Sequence, residues 1–244
     1  MPHVDLRLVQ DDVLERSCVV ANCRMNRERA LTGSNGYAKE IGFNPCDSLM
    51  EKTDKARWLD LCCGSGKALI EAAQMAHDQE IEDKVEIVGV DLVGPQSPPD
   101  PRLACLHLVK ASLAHWQPTG QFDLITCVHG LHYIGDKFGL VTRAASWLTD
   151  DGRFVANLDL NNIKIVGVRQ SNRLLAAELR KSDLEYNARK KLLRCFRRMS
   201  VHLPFRYLGA DDQAGPNYTK QPAVDSYYEK LVAGEDTTRI PTVT

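Results

Sequence analysis

Asp60, Cys62, Gly64 and Gly66 alternate through WLDLCCGSGKAL (58–69), and Asp91 ends the next apolar run, VEIVGVDL (85–92). A Gly-Ser-Gly turn leaves the main chain open to a ligand, and three ligands compete for it. A phosphate cradle of the GxxxxGK[ST] type needs a glycine where Leu61 stands and a hydroxyl where Ala68 stands. A dinucleotide fingerprint, GxGxxG, lacks its third glycine in either register. The remaining reading puts an acid, Asp60, before the turn. An acid at the tip of the second strand accepts hydrogen bonds from both hydroxyls of a ribose, and Asp91 has that place.

A second constellation is CVHGLHYI (127–134), with His129, His132 and Tyr133. Histidine titrates near neutral pH and suits proton transfer. His129 stands one step beyond Val128, the last apolar residue of its run, so it is expected to point into a pocket. The bland alternative is that neither histidine acts, because holding two reactants in line can suffice. Eight cysteines (18, 23, 46, 62, 63, 105, 127 and 195) form no CxxC pair. Buried free thiols in a reducing cytosol are the expected reading, with a redox or metal role for Cys62-Cys63 as the alternative. No metal is expected.

The elements that position these residues follow from periodicity. Trp58, Leu59 and Leu61 read as a buried parallel strand, and Leu69, Ile70, Ala72, Ala73 and Met75 recur at helical spacing after the turn. Further strands are predicted in 85–92, 103–113, 122–134 and 148–160, the last fed by an Asp151-Gly152 turn, and two more in 202–209 and 222–231. Strand, turn and helix repeat as βαβ units of an α/β sheet.

Asp60-x-Cys62-x-Gly64-x-Gly66 resembles the first motif of class I S-adenosylmethionine-dependent methyltransferases, D/E-x-G-x-G-x-G, with Cys62 at the first glycine. The later segments are similar to that superfamily's second strand, fourth motif and turn before strand five, and the resemblance covers 55–160. It implies a doubly wound seven-stranded sheet, mostly parallel, with an antiparallel last strand supplied by the 202–209 and 222–231 hairpin. It implies a helical N-terminal lid over 1–54, a cofactor half over 55–160 and a helical cap with the last two strands over 161–244, all one structural domain. S-adenosylmethionine is the implied cofactor and S-adenosylhomocysteine the product. The implied cofactor residues are Tyr37, Asp60, Cys62, Gly64, Gly66, Asp91, Leu92, Ser112, Leu113 and Val128. Tyr37 would reach the methionine end from the lid, with Arg27 and Arg29 beside it, or would simply pack its helix. An acid for the adenine amine is missing after strand three, where Ser112 would substitute unless that end makes apolar contact alone. His129 and His132 are the candidate catalytic residues.

Composition agrees with a compact enzyme. The chain has 244 residues, 43% of them hydrophobic, and a net charge of −1. That charge gives no overall attraction to nucleic acid or to an anionic membrane. No apolar run approaches the roughly 18 residues of a span, and the acidic, broken start does not read as a signal peptide, so a cytoplasmic protein is expected. The segment 168–198 carries ten basic residues against three acidic ones. It is a solvated face, a cap that selects an acidic small molecule, or a nucleic-acid surface. The fourth motif lacks the N/D-P-P-Y/F/W signature of adenine-N6 and glutamine methylation. The expected activity is O- or N-methylation of a small molecule, such as an acidic metabolite or natural product. The alternatives are an RNA or protein methyltransferase recruited through 168–198, and a protein that binds the cofactor without catalysis. A homodimer is compatible with this reading.

Overall fold

The computed structural model describes residues 7–21, 28–95 and 97–232. The main sheet has seven strands in the order β3-β2-β1-β4-β5-β8-β7. Five of them are parallel neighbours: β1 (Ala56–Leu61), β2 (Val85–Asp91), β3 (Leu106–Lys110), β4 (Phe122–Cys127) and β5 (Leu148–Asn157). The near-continuous burial of β1, β2 and β4 is that of strands covered on both faces. One face packs on α5 (Lys67–Asp78) through Leu69, Ala72 and Ala73. The other packs on α6 (Lys137–Ser146) and α7 (Asn172–Lys181) through Leu140, Val141, Leu175 and Leu179. The strand order reverses between β1 and β4, and ligands of open α/β sheets bind outside the carboxyl ends at such a point.

The sheet closes differently from the sequence expectation. Its last two strands are β7 (Glu185–Asn187) and β8 (Leu192–Cys195), a hairpin whose β8 runs antiparallel to β5. Both come from the basic segment read as helical. Only 172–181 of that segment keeps a helical stripe. After Ser182 the buried residues Leu192, Leu193 and Cys195 face the core, and the surrounding charges hid so short a pattern. The expected strands at 202–209 and 222–231 do form an antiparallel pair, β9 (Phe205–Asp211) and β10 (Asp225–Lys230). They belong to a separate three-stranded sheet with β6 (Ile163–Ile165), in the order β6-β10-β9.

The N-terminal part supplies four short helices: α1 (Asp11–Leu14), α2 (Cys18–Ala21), α3 (Tyr37–Ile41) and α4 (Pro45–Met50). Leu14 anchors α1 against Ala210 and Val224, and Val9 pairs with Ala210. The second sheet therefore holds the N-terminal segment over the carboxyl ends of the main one. Among the described residues no helix is long and apolar enough to cross a membrane.

Candidate functional site

The turn after β1 is built from left-handed residues: Cys62 (φ 60°), Gly64 (φ 62°) and Gly66 (φ 75°). A Cβ at Gly66 would come within 2.8 Å of the Leu108 side chain, so glycine is required there by both angle and space. Cys62 tolerates its angle because its side chain packs onto Cys127 Sγ and the backbone of Gly130. Asp91, at the tip of β2, closes the turn. Its carboxylate accepts the amide of Gly64 at 2.9 Å and that of Val93 at 3.0 Å. A carboxylate offers about four lone-pair directions, so Asp91 keeps capacity for a ligand.

Asp60 lies behind the turn and is fully buried. It accepts the Tyr37 hydroxyl at 2.7 Å and the Thr126 hydroxyl at 2.5 Å, while Trp58 Nε1 donates to Thr126 at 2.8 Å. Burial pushes the Asp60 carboxyl up to about 7, opposed by the bonds from Thr126 and Tyr37. Burial also raises the Tyr37 hydroxyl well above its usual range. Tyr37 thus ties α3 to the floor of the sheet and does not line the cavity.

A cavity of about 750 Å³ opens at the carboxyl ends of β1, β2 and β4. Cys62, Gly64, Asp91, Leu92, Leu113, Val128 and His129 line it, whereas Tyr37, Asp60, Gly66, Ser112 and His132 do not. Arg27 lies outside the described residues, and Arg29 is ion-paired to Glu40 at 3.4 Å, off the lining.

Sequence reasoning missed Asp11, Leu14, Glu15 and Val20, which roof the cavity, and Asp136 and Arg143, which wall it. The one available signal was the spacing of Asp11 and Glu15, which puts both acids on one helical face. Ser112 donates its hydroxyl to Glu15 at 2.5 Å, so an acid does stand beside the end of β3, brought from the roof. Asp136 caps α6 through the Gly139 amide and accepts the Tyr228 hydroxyl at 3.0 Å. Asp11 accepts Tyr207 at 3.1 Å, and burial raises its carboxyl. Arg143 spends its donors on the carbonyls of Leu113, Ala114 and Gly139. Among the described lining residues four carboxylates face this single Lys or Arg cation. No residue of 168–198 lines the cavity. Of the three readings of that segment, a basic cap lining the pocket finds no support: the segment forms α7 and the β7-β8 hairpin, and the cavity is roofed by acids instead.

His129 is 2% exposed and left-handed (φ 59°), and its amide donates to Asn157 Oδ1 at 3.1 Å. Its Nε2 lies 3.2 Å from Glu40 Oε2 on α3. His132 is buried with both ring nitrogens unpartnered, and desolvation keeps its pKa well below the usual range. Its ring packs against His129 and Tyr218, at centroid distances of 5.6 and 5.4 Å.

S-adenosylmethionine fits these residues. Asp91 with spare acceptor capacity suits ribose hydroxyls, the left-handed turn keeps side chains out of the way, and the acidic lining suits a ligand carrying an ammonium and a sulfonium.

A family model described as a methyltransferase domain matches residues 38–204, more than half of the chain. No curated protein matches. Among solved structures, the chain is similar to CalS10, an amino pentose methyltransferase from Micromonospora echinaspora, at 20% identity and TM-score 0.37, covering 51% of each chain. It is similar to the plantazolicin methyltransferase BpumL at 13% identity and TM-score 0.36, covering 49% of this chain and 44% of that one. It is similar to coclaurine N-methyltransferase at 16% identity and TM-score 0.36, covering 53% of this chain and 38% of that one. The chain thus spans about half the length of the first and less of the others, and at these scores the likeness carries no argument about substrate.

Proposed function

Because the chain belongs to the methyltransferase-domain family, we propose that it transfers the methyl group of S-adenosylmethionine to a small molecule bound in the cavity under the N-terminal segment. The observation that carries this reading is the lining itself: the Cys62-Gly64 turn, Asp91 and His129 share one cavity at the point where the strand order reverses. Asp91 would hold the ribose, Gly64 and Cys62 the methionine end, and Leu92, Leu113 and Val128 the apolar parts. When bound, the cofactor supplies an electrophilic methyl carbon, and the chain's part is to hold the acceptor in line with it and exclude water. Asp60 and Tyr37 would support the turn from below. Residues 1–54 would act as the lid and 55–160 as the cofactor half of one domain.

The charge of the lining supports a neutral or cationic acceptor over the acidic metabolite expected from the basic segment. Oxygen and nitrogen acceptors both fit. The free thiols Cys62, Cys63 and Cys127 around the turn fit a reducing, cytoplasmic setting. The test is incubation with methyl-labelled S-adenosylmethionine and a cell extract, with the products separated by size. Label in the small-molecule fraction supports the reading, whereas label confined to RNA or protein would move the acceptor to a macromolecule.

A further inference from the structure

Resting on that reading, we propose that Glu40 and His129 form a base unit: Glu40 holds the imidazole with its proton on Nε2, and Nδ1 takes the proton of the acceptor atom. The acceptor is then a group that sheds a proton on methylation, a hydroxyl or an ammonium.

His129 lines the cavity and Glu40 does not, and the Glu40 carboxylate meets the ring at Nε2. Nε2 is 3.2 Å from Glu40 Oε2, within ion-pair distance, and both ring nitrogens are buried without an aligned hydrogen-bond partner. An ionised carboxylate can only accept, so the ring nitrogen beside it carries the proton and the lone pair is left on Nδ1. Buried polar groups are normally satisfied. Positive φ at a residue other than glycine is uncommon, and such conformations persist where the surroundings over-determine them, often at active sites. His129 shows both features, and the Asn157 side chain pins its amide. Glu40 is itself held on its far side by Arg29 Nη1 at 3.4 Å. The contact with His129 is the leading cause that keeps the Glu40 carboxyl below the usual range.

Three other groups bear on the ring. His132 packs beside it from the same loop, Tyr218 from the segment between β9 and β10 at 6.1 Å, and Arg29 acts from behind Glu40. Burial keeps His132 neutral and raises the Tyr218 hydroxyl. Glu40 is therefore the anion that steadies a protonated His129.

The step balances. The acceptor's lone pair forms the new bond to the methyl carbon as the carbon–sulfur bond breaks and its electron pair passes to sulfur. A hydroxyl gives its proton to Nδ1 as that bond forms, whereas an ammonium must give it up first to free its lone pair, and the imidazolium faces Glu40 until the proton leaves to solvent. Glu40 is a positioning residue, His129 the catalytic one.

Two measurements decide it. The first is nitrogen NMR of the ligand-free protein labelled in histidine. The proton on Nε2 with a bare Nδ1 is expected at His129, and the proton on Nδ1 would overturn the proposal. The second is the initial rate of labelled methyl transfer into the small-molecule fraction of a cell extract, at saturating cofactor and across pH. Glu40→Gln should lower the rate about tenfold or more and His129→Gln about 10²–10⁴-fold, with S-adenosylhomocysteine affinity within a few-fold of wild type. In Glu40→Gln the proton should no longer be held on Nε2 in the nitrogen NMR, because the carboxylate that faces it is gone. An unchanged rate and an unchanged tautomer in Glu40→Gln would overturn the pair. A wild-type protein that does not bind S-adenosylhomocysteine would overturn the methyltransferase reading instead, and the NMR result would still decide the Glu40–His129 geometry.

Discussion

The Tyr37 hydroxyl donates to the fully buried carboxylate of Asp60 at 2.7 Å, joining the N-terminal helix α3 to the centre of the main sheet. The bond explains why the acid of the glycine-turn motif sits under the cavity instead of in it. It also makes Asp60 a pH-dependent element of stability.

Burial raises the Asp60 carboxyl from 3.8 to about 7. The folded state therefore holds the Asp60 proton more tightly than the unfolded state does. Its contribution to stability falls as pH rises through the window from the unfolded value to the folded one. Asp60→Asn keeps the shape without the charge. The difference in unfolding free energy between variant and wild type should shift toward the variant by up to about 1.4 kcal/mol per pH unit in that window. Urea melts at several pH values between about 4 and 7 measure it, and a difference that does not change with pH there would contradict the buried, raised carboxyl.

Gly130 is the contact that seats the Cys62 turn. A Cβ there would fall 2.4 Å from Cys62 Cβ and 2.8 Å from Cys127 Sγ. Overpacking of this kind costs about 1–3 kcal/mol. Gly130→Ala should lower the melting temperature and weaken S-adenosylhomocysteine binding together, because the displaced turn lines the cavity. A variant that is destabilised yet binds as wild type would separate the turn from the ligand.

The basic segment divides into structure and surface. Deleting 165–198 removes β7 and β8, and with β8 goes the pairing of Phe154 to Cys195 and of Ala156 to Leu193. We expect no soluble folded protein from that deletion. Arg189→Glu with Lys190→Glu, both exposed at the hairpin tip, should leave cofactor affinity and turnover within a few-fold. Loss of turnover in the double variant with intact binding would restore the segment as a substrate surface.

These outcomes mirror what was legible in the chain. The parallel strands could be read because Trp58–Leu61, Val85–Val90 and Leu124–Cys127 are dense apolar runs that stop at glycine, acid or histidine. Asp91 and the turn could be read because both depend on local spacing. The β7-β8 hairpin could not, since three buried residues among five charges carry too short a period to register. The roof of Asp11 and Glu15, and the contact of Glu40 with His129, join residues far apart in sequence. They depend on where the second sheet holds the N-terminal segment, and no local pattern encodes that. Tyr37 was singled out from the resemblance as a cofactor contact. In the structure its hydroxyl bonds Asp60 behind the turn, and neither residue lines the cavity.

On the proposed function, Asp91 and the Cys62-Gly64 turn hold S-adenosylmethionine in this cavity. Titration calorimetry of wild type and Asp91→Ala with S-adenosylhomocysteine, with NADH and ATP as controls, tests it most directly. Hydrogen bonds to a charged group are worth about 1.5–3 kcal/mol each. Wild type should therefore bind S-adenosylhomocysteine at about micromolar level and neither control, and Asp91→Ala should lose roughly tenfold or more in affinity. Tight binding of NADH or ATP without S-adenosylhomocysteine, or an Asp91→Ala protein that binds as well as wild type, would contradict it.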